Sequence, residues 1–429
     1  MGTKCESTGI QAGRKTKKLT SISIIMKIGI IGGGAAGFFS AIAAKENYPD
    51  SRVIIFEKSQ NLLSKVKISG GGRCNVTNGC TSIEELCKAY PRGGRQLSKA
   101  FQVFNTSHAI EWFESRGVPL VIQEDNCVFP KSQDSQSIIN CFLREAKRLG
   151  VEIKTGMGVK SLRIVGEMLE LQFLDEKLQP EVFDKIIVTT GGSPKRKGLE
   201  WLEESGHKIE DPVPSLFSFN MPAEPITRLM GVVVENTIVS IQGTKIKAKG
   251  PLLVTHWGMS GPAILKLSSH GARILSECEY NFTIQVNWAN EPNSDLVADE
   301  LRIITEAHSN KILSNIKPFS LPVRLWLYLL DKIEIPADKK WGELGKKGVN
   351  KLMNVLTNDE YSVKGKSTFS EEFVTCGGVS LKSIDMSTMQ SKVCKNLYFA
   401  GEVMDIDAIT GGYNLQCAWT TGFIAGKLK

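Results

Sequence analysis

No run of eighteen apolar residues occurs anywhere in the 429-residue chain, which excludes a membrane-spanning helix. Ten cysteines are present, but no two form a Cys-x-x-Cys pair, so neither a zinc ribbon nor a dithiol redox centre is written here and no metal site is expected. The cysteines read as buried thiols of a protein in a reducing cytoplasm. The start of the chain does not read as a convincing secretory signal either. Residues 1–25 carry Lys4, Arg14, Lys15, Lys17 and Lys18 against Glu6 alone, with no long apolar stretch. We read 1–25 as a disordered extension, with a targeting role as the alternative. It holds half of the chain's net charge of +8, which weakens any argument that the folded part is strongly basic. At this length two or three domains are expected.

What is present begins at Met26. An apolar strand to Ile31 runs directly into Gly32-Gly33-Gly34-Ala35-Ala36-Gly37, and an Ala-rich helical segment follows from Phe38 to Lys45. Strand, Gly-x-Gly-x-x-Gly and helix together form a dinucleotide signature: Gly32 for the tight turn, Gly34 for close approach to a pyrophosphate, Gly37 for helix–strand packing. The helix N-terminus, with Ala36 in its first turn, offers free N–H groups and the positive dipole end. Arg52–Glu57 reads as the next strand, and Glu57 stands twenty residues after Gly37, where a carboxylate accepts hydrogen bonds from a ribose.

The remainder is discontinuous. Residues 62–78 form a polar, glycine-dense loop too long for a plain connector. Residues 106–117 and 134–149 read as amphipathic helices, 151–155 and 158–162 as strands, and 183–192 as a buried strand ending on Gly191 and Gly192. Short β-rich runs from 212 to 286 predict a small antiparallel barrel or sandwich. Between 292 and 359 the pattern turns helical, with segments over 296–307, 323–332 and 341–356. The run 396–402 is again a strand ending on an acid, followed by the Gly411-Gly412 turn and a helix over 415–425. The expected division is 26–192 and 376–429 for the nucleotide domain, 193–291 with return segment 360–375 for the β-rich domain, and 292–359 for a helical insert.

Four stretches then resemble a known family: Ile-Ser-Gly-Gly-Gly-Arg-Cys-Asn at 68–75, Leu-Leu-Val-Thr-His-Trp-Gly-Met-Ser-Gly-Pro at 252–262, Cys-Gly-Gly-Val at 376–379, and Phe-Ala-Gly-Glu-Val-Met-Asp-Ile-Asp-Ala-Ile-Thr-Gly-Gly-Tyr-Asn at 399–414. Over 27–429 the chain is similar to FAD-dependent oxidoreductases of the BaiN/RdsA type. The resemblance implies a glutathione-reductase-like Rossmann FAD domain interrupted by a β-rich domain that itself carries a helical insert. It implies FAD on Gly32, Gly34, Ala36 and Gly37, with Glu57 at the adenosine ribose, Lys58 bordering adenine and Val159 meeting adenine through its backbone. Gly71, Gly72, Arg73, Cys74 and Asn75 lie along the ribityl chain and flavin, and Gly191 and Gly192 close near the pyrophosphate. Gly401 and Glu402 resemble the flavoprotein Gly-Asp motif, leaving open which of Glu402, Asp405 and Asp407 meets the ribityl hydroxyls. Gly412, Asn414 and Leu415 open a helix facing the flavin pyrimidine edge.

Two residues are catalytic candidates. His256, in a Thr-His-Trp-Gly segment, suits proton donation near neutral pH; a structural histidine is the alternative. Cys74 adjoins the flavin loop as a proton donor, with a small buried thiol as the alternative. Ser260 is no nucleophile elbow, because Pro262 occupies the second glycine position. Family members act on unsaturated bile-acid intermediates, aminoacetone, or a uracil of large-subunit ribosomal RNA. The leading expectation is NAD(P)H-driven reduction of an activated C=C bond. No second Gly-x-Gly-x-x-Gly follows a strand, so the nicotinamide visits transiently. Ribosomal RNA is placed slightly first among substrates because Lys195-Arg196-Lys197 and the Lys339, Lys340, Lys346, Lys347, Lys351 group can neutralise phosphates; the alternative is a pair of solvated clusters. A small-metabolite oxidase and a non-catalytic flavin-binding assembly factor are the competing functions.

Overall fold

The computed structural model describes residues 1–3, 25–367 and 374–429; the expected extension at 4–24 and part of the expected return segment, 368–373, lie outside the described residues. Strand β1 (Lys27–Ile31) leads into helix α1 (Ala35–Asn47) and β2 (Arg52–Phe56), and further on come β3 (Glu152–Lys154) and β4 (Lys185–Val188). After β4 the chain leaves through β5 (Ile209–Pro214). It builds β6 (Phe219–Asn220), β7 (Val233–Ile241), β8 (Lys247–Val254), β9 (Gly258–Ser260), helix α2 (Pro262–Glu277) and β10 (Asn281–Asn287). Three helices follow, α3 (Ser294–Ala307), α4 (Val323–Lys332) and α5 (Gly345–Thr357), then β11 (Asp359–Lys364). The return runs through β12 (Thr375–Val379) to β13 (Leu397–Phe399) and the final helix α6 (Tyr413–Ala425).

The first sheet has β13, β4, β1, β2 and β3 side by side and parallel, with a short antiparallel margin beyond β13. Its strands are apolar on both faces, as a parallel sheet covered by helices requires. Helices α1 and α6 lie against each other. A Cβ on Gly426 would stand 2.6 Å from that of Ala43, and one on Gly422 would stand 3.0 Å from the Ala36 carbonyl oxygen. Glycine at these two positions lets the first and last helices of the chain touch backbone to backbone.

The inserted unit is a six-stranded antiparallel sheet in the order β6-β9-β8-β7-β10-β11. It closes on itself: Phe219 bridges Lys366, Asn220 N–H donates to the Gly365 carbonyl, and Ser367 N–H donates to that of Ser218. Closure makes it a small barrel without a free edge at the seam. Helix α2 plugs it, and α3–α5 pack beyond Trp288 on a second hydrophobic core separate from the first. The barrel is one of the two expected forms; α2 departs from expectation, because its flanking segments read as strands.

The two units are joined by a ribbon in which β5 and β12 run antiparallel, Ile209 opposite Val379 and Pro214 opposite Thr375. This explains Cys376-Gly377-Gly378-Val379. Both glycines have positive φ, and a Cβ would stand 2.4 Å from the Asp211 carbonyl oxygen at Gly377 and 2.4 Å from that of Val403 at Gly378.

Candidate functional site

The three glycines after β1 differ in what they tolerate. Gly32 has φ +114°, and its Cβ would stand 2.5 Å from the Thr189 carbonyl oxygen; a Cβ at Gly37 would stand 1.9 Å from the Gly32 carbonyl oxygen. Gly34 has ordinary extended φ and ψ of −94° and −165°, and a Cβ there meets nothing within 4 Å. Neither backbone nor neighbour demands glycine at 34, so the space beside it is what glycine preserves. Gly34 caps α1 without any side-chain hydrogen bond, leaving the first-turn N–H groups uncapped, and Ala36 is buried where Gly401 approaches.

At the far end of the turn Glu57 accepts from Gly33 N–H at 2.8 Å and Ser59 N–H at 2.9 Å, which fixes its carboxylate beside the glycines. Lys58 is exposed and packs its Cβ by Gly158, next to Val159, the first residue of strand Val159–Val165.

The two glycine-rich blocks more than 300 residues apart come together. Thr77 Oγ1 donates to Gln416 at 2.5 Å, Asn78 Nδ2 to the Gly411 carbonyl at 3.0 Å, and Trp419 Nε1 to the Val76 carbonyl at 2.8 Å. A Cβ on Gly412 would stand 2.8 Å from Asn75 Oδ1. Gly412 takes the left-handed conformation, φ +84°, and caps α6 without a side chain, so that helix also opens on free N–H groups and starts two residues earlier than expected. The Asn414 amide is pinned to Ala408 N–H and C=O, each at 3.0 Å, and Leu415 is half-buried. Residues 62–78 are not all loop: Ser64–Ile68 is a helical turn that passes into a left-handed Gly70-Gly71 pair. Gly71, Gly72 and Gly191 each have positive φ with nothing within 4 Å of a Cβ. Arg73 stacks on Phe129, its guanidinium carbon 4.0 Å from the ring centroid.

Not every expected site residue is brought to the glycines. Cys74 is fully buried at φ +64°, and burial pushes its thiol up to about 12. With no exposed area, its side chain has no surface to offer a ligand. Asp407 is likewise sealed: Arg92 grips both of its oxygens, and Ser215 donates to one of them. Burial raises the Asp407 carboxyl above its ordinary range, with Arg92 opposing the rise. Asp405 binds Arg273 of α2 at 3.0 Å and faces the barrel. Glu402 is the acid that remains by the glycines. It lies in a single 3₁₀ turn beyond the end of β13, accepts from Thr375 N–H at 2.8 Å and Lys65 at 2.7 Å, and stands 2.6 Å from where a Cβ on Gly192 would be. His256 is exposed on the turn between β8 and β9, where its ring meets Trp257 edge-on; it makes no hydrogen bond among the described residues. Arg196 is committed to Glu203 and Asp211, while Lys195 and Lys197 are exposed and make no ion pair among the described residues.

Sequence reasoning missed Arg92. Its guanidinium also donates to the Ser269 carbonyl at 2.5 Å and Ser215 Oγ at 3.0 Å, tying the loop before helix Gly94–Val103 to Asp407 and to α2 of the barrel. The signal was Pro91-Arg92-Gly93-Gly94, a turn whose glycines admit Ile406 and the Cys87 carbonyl.

With this geometry in place, the model of the HI0933-like protein Rossmann domain matches residues 26–428. The chain belongs to the HI0933-like family. It is therefore an FAD-dependent oxidoreductase. It is similar to the 3-dehydro-bile acid delta(4,6)-reductase of Clostridium scindens, 27% identical over 94% of this chain and 98% of the relative. It is also 27% identical to the ribosomal RNA dihydrouridine synthase of Escherichia coli, over 93% and 96% of the two chains. Among solved structures, 3-ketosteroid delta1-dehydrogenase from Sterolibacterium denitrificans is 12% identical, with a TM-score of 0.49 over 93% of this chain and 98% of that one. The residues fit the cofactor the family uses: the open space beside Gly34 and two uncapped helix N-termini suit a diphosphate-bearing ligand. Among the described residues no helix is long and apolar enough to cross a membrane, and no group of three or more His, Cys, Asp or Glu is placed to hold a metal ion.

Proposed function

We propose that this HI0933-like protein is a cytoplasmic NAD(P)H-driven reductase of an activated carbon–carbon double bond, with a uracil of large-subunit ribosomal RNA as its leading substrate. The observation that carries the reading is the meeting of the Gly32–Gly37, Gly70–Asn75 and Gly401–Asn414 blocks, which is more than a simple nicotinamide dehydrogenase requires. Two relatives named for a reductase and for a dihydrouridine synthase support the reaction type. The only parallel sheet among the described residues is the one containing β1, so a nicotinamide has no second dinucleotide fold to occupy and comes to the cradle transiently.

Gly34, the α1 N-terminus and Glu57 would hold the diphosphate and ribose of FAD, and Gly71, Gly72, Glu402 and the α6 N-terminus the remainder. When bound, FAD supplies hydride transfer. The chain's own part is electrostatic and protic. The uncapped α6 N-terminus favours negative charge in front of it. With Cys74 sealed and His256 out on the barrel, the proton donor is water or Tyr413. Tyr413 is half-buried beside Gly411, its hydroxyl makes no hydrogen bond among the described residues, and burial pushes it up to about 12, which keeps its proton in place at neutral pH.

The purified protein should be yellow and release FAD on denaturation, and NADH or NADPH should bleach it rapidly in anaerobic stopped-flow. Deleting the gene should remove one dihydrouridine from ribosomal RNA, read as the loss of a mass increase of about two hydrogens. A colourless protein sinks the cofactor assignment. An unchanged ribosomal RNA profile, with a small enone reoxidising the reduced protein, moves the substrate to the second reading, which the equal identity to a bile-acid reductase supports.

A further inference from the structure

Resting on the ribosomal RNA reading, we infer that the barrel and its helical insert carry the RNA-docking surface, a lysine track running from the β7–β8 hairpin to the face of α5. Lys247 and Lys249 flank Ala248 and project to one side of β8, both exposed, and Lys245 is exposed in the bend just before the strand. Alternate residues of a strand stand about 6.6–6.8 Å apart. Lys247 and Lys249 place one positive charge per step along the strand, as a nucleic-acid backbone places its phosphates, and Lys245 continues the positive charge into the hairpin. Opposite Lys247 and Lys249 on β7 stand Ser240 and Ile238, so no acid neutralises the row across the sheet. None of the three lysines makes an ion pair or hydrogen bond among the described residues.

The second half of the track is α5. Its sequence, Gly345–Thr357, contains three lysines and no acid. Lys346, Lys347 and Lys351 share one open face of α5 with the amides of Asn350 and Asn354. Lys346 and Lys347 occupy the first turn of a helix that has no side-chain cap, where the dipole already concentrates positive potential and disfavours further cations. The nearest acid in sequence, Glu343, pairs with none of them. Folding gains nothing from placing Lys346 and Lys347 at this end of the helix, whereas an anion lying across the face gains from both; Lys351 also serves the fold through the Ile333 carbonyl.

A chain of hydrogen bonds joins the two halves. Lys351 Nζ donates to the Ile333 carbonyl at 2.9 Å, its neighbour Lys332 reaches the Glu360 carbonyl at 3.2 Å, and the Glu360 carboxylate accepts from Gln242 of the β7–β8 hairpin at 3.0 Å. The lysines of the hairpin and the amide-flanked lysine face of α5 favour a polyanionic strand with hydrogen-bonding sugars over a lipid surface, which would call for apolar side chains among the lysines. Phosphates held there would orient a large RNA on the protein.

The test uses full-length flavin-loaded protein, with deproteinised large-subunit ribosomal RNA and a poly(U) strand as probes. The substitutions are Lys245→Ser, Lys247→Ser and Lys249→Ser together, Lys346→Ser, Lys347→Ser and Lys351→Ser together, and all six. Each triple should weaken RNA binding at least tenfold and lower the slope of log affinity against log salt by about 0.7–0.9 for every phosphate no longer neutralised, with the flavin spectrum unchanged; the melting temperature should stay constant in the first triple and fall slightly in the second, where the Ile333 carbonyl loses Lys351. The triple Lys160→Ser, Lys177→Ser, Lys208→Ser serves as control and should bind like the parent. If the parent binds RNA and the sixfold variant binds equally well, the track is wrong while the RNA reading stands. If the parent binds no RNA, both fall. If the sixfold variant loses binding to phosphatidylserine vesicles but keeps RNA, the surface belongs to a membrane and the inference is overturned. If the triples aggregate with RNA affinity unchanged, the lysines serve to keep the strand soluble, and the inference is likewise overturned.

Discussion

Gly34 and Gly37 lie three residues apart in one turn and should respond oppositely to the same methyl group. Gly37→Ala drives a Cβ to 1.9 Å from the Gly32 carbonyl oxygen, so the turn must open. We expect at least the ~1–3 kcal/mol typical of overpacking, seen in the apoprotein by urea denaturation. Gly34→Ala meets empty space at an ordinary φ, so apoprotein stability should stay within about 0.5 kcal/mol while FAD retention falls. Equal loss of stability in both variants would show that Gly34 serves the fold. Cys74 gives a second expectation at this scale. With its thiol buried and pushed up to about 12, it should resist iodoacetamide at pH 8 until the chain is unfolded, whereas half-buried Cys80 reacts in the native state; peptide mass spectrometry reads both. Much at this scale was legible in the sequence. Spacing alone separated Gly32, Gly34 and Gly37, because each constraint is local. Glu402, Asp405 and Asp407 could not be told apart, since what distinguishes them is Arg92 and Arg273, far away in the chain.

Among the elements, the short segment entering β5 is held by a histidine. His207 is 2% exposed, its Nε2 lies 2.7 Å from Ser391 Oγ and its ring packs edge-on against Phe399 of β13. Burial lowers its pKa below the ordinary 6.5. The folded state thus keeps it neutral where the unfolded chain takes up a proton, so its stabilising contribution is complete above about pH 6.5 and is lost as pH falls below it. Stability should drop by up to about 1.4 kcal/mol per pH unit in that range, and His207→Gln should flatten the slope of urea midpoint against pH. An identical slope in the variant would assign the pH dependence elsewhere. Long periodic elements were readable from sequence. Gln136–Leu149, Ser294–Ala307 and Val323–Lys332 fall where amphipathic spacing placed them. Ile83–Lys88 and Gly94–Val103 were missed, the first because six residues are too short for a period and the second because Gly93-Gly94 reads as a break while in fact opening the helix. Strand segments around α2 masked it for the same reason: local pattern does not reveal what fills a barrel.

Across the whole molecule, Arg92 is where the two cores meet. It binds Asp407 of one unit and the Ser269 carbonyl of the other, with Asp407 fully buried. Arg92→Met leaves that carboxylate buried without its counter-ion, with only the Ser215 hydroxyl still donating to it, which should cost about 3–5 kcal/mol. The loss should show as early proteolytic cleavage near residues 209–214 and 375–379, with both cores still folded. A variant that melts in one step at the parent temperature would contradict it. The interruption of one sheet by another unit was legible from the returning strand–acid–glycine pattern at 396–412, but the Arg92 tie was not, because an arginine in a turn carries no sign of its distant acid.

The sheet order also bears on synthesis. Strand β4 ends at Val188 and its parallel neighbour β13 starts at Leu397, so about two hundred residues leave the ribosome between the two. At roughly 5–20 residues per second, Ile186, Ile187 and Val188 wait on the order of 10–40 s with one flank unpaired. During that interval the barrel, whose core is its own, can close first and carry the late strand back along the β5–β12 ribbon. A nascent chain stalled before residue 397 should therefore be the aggregation-prone species and the natural client of a chaperone.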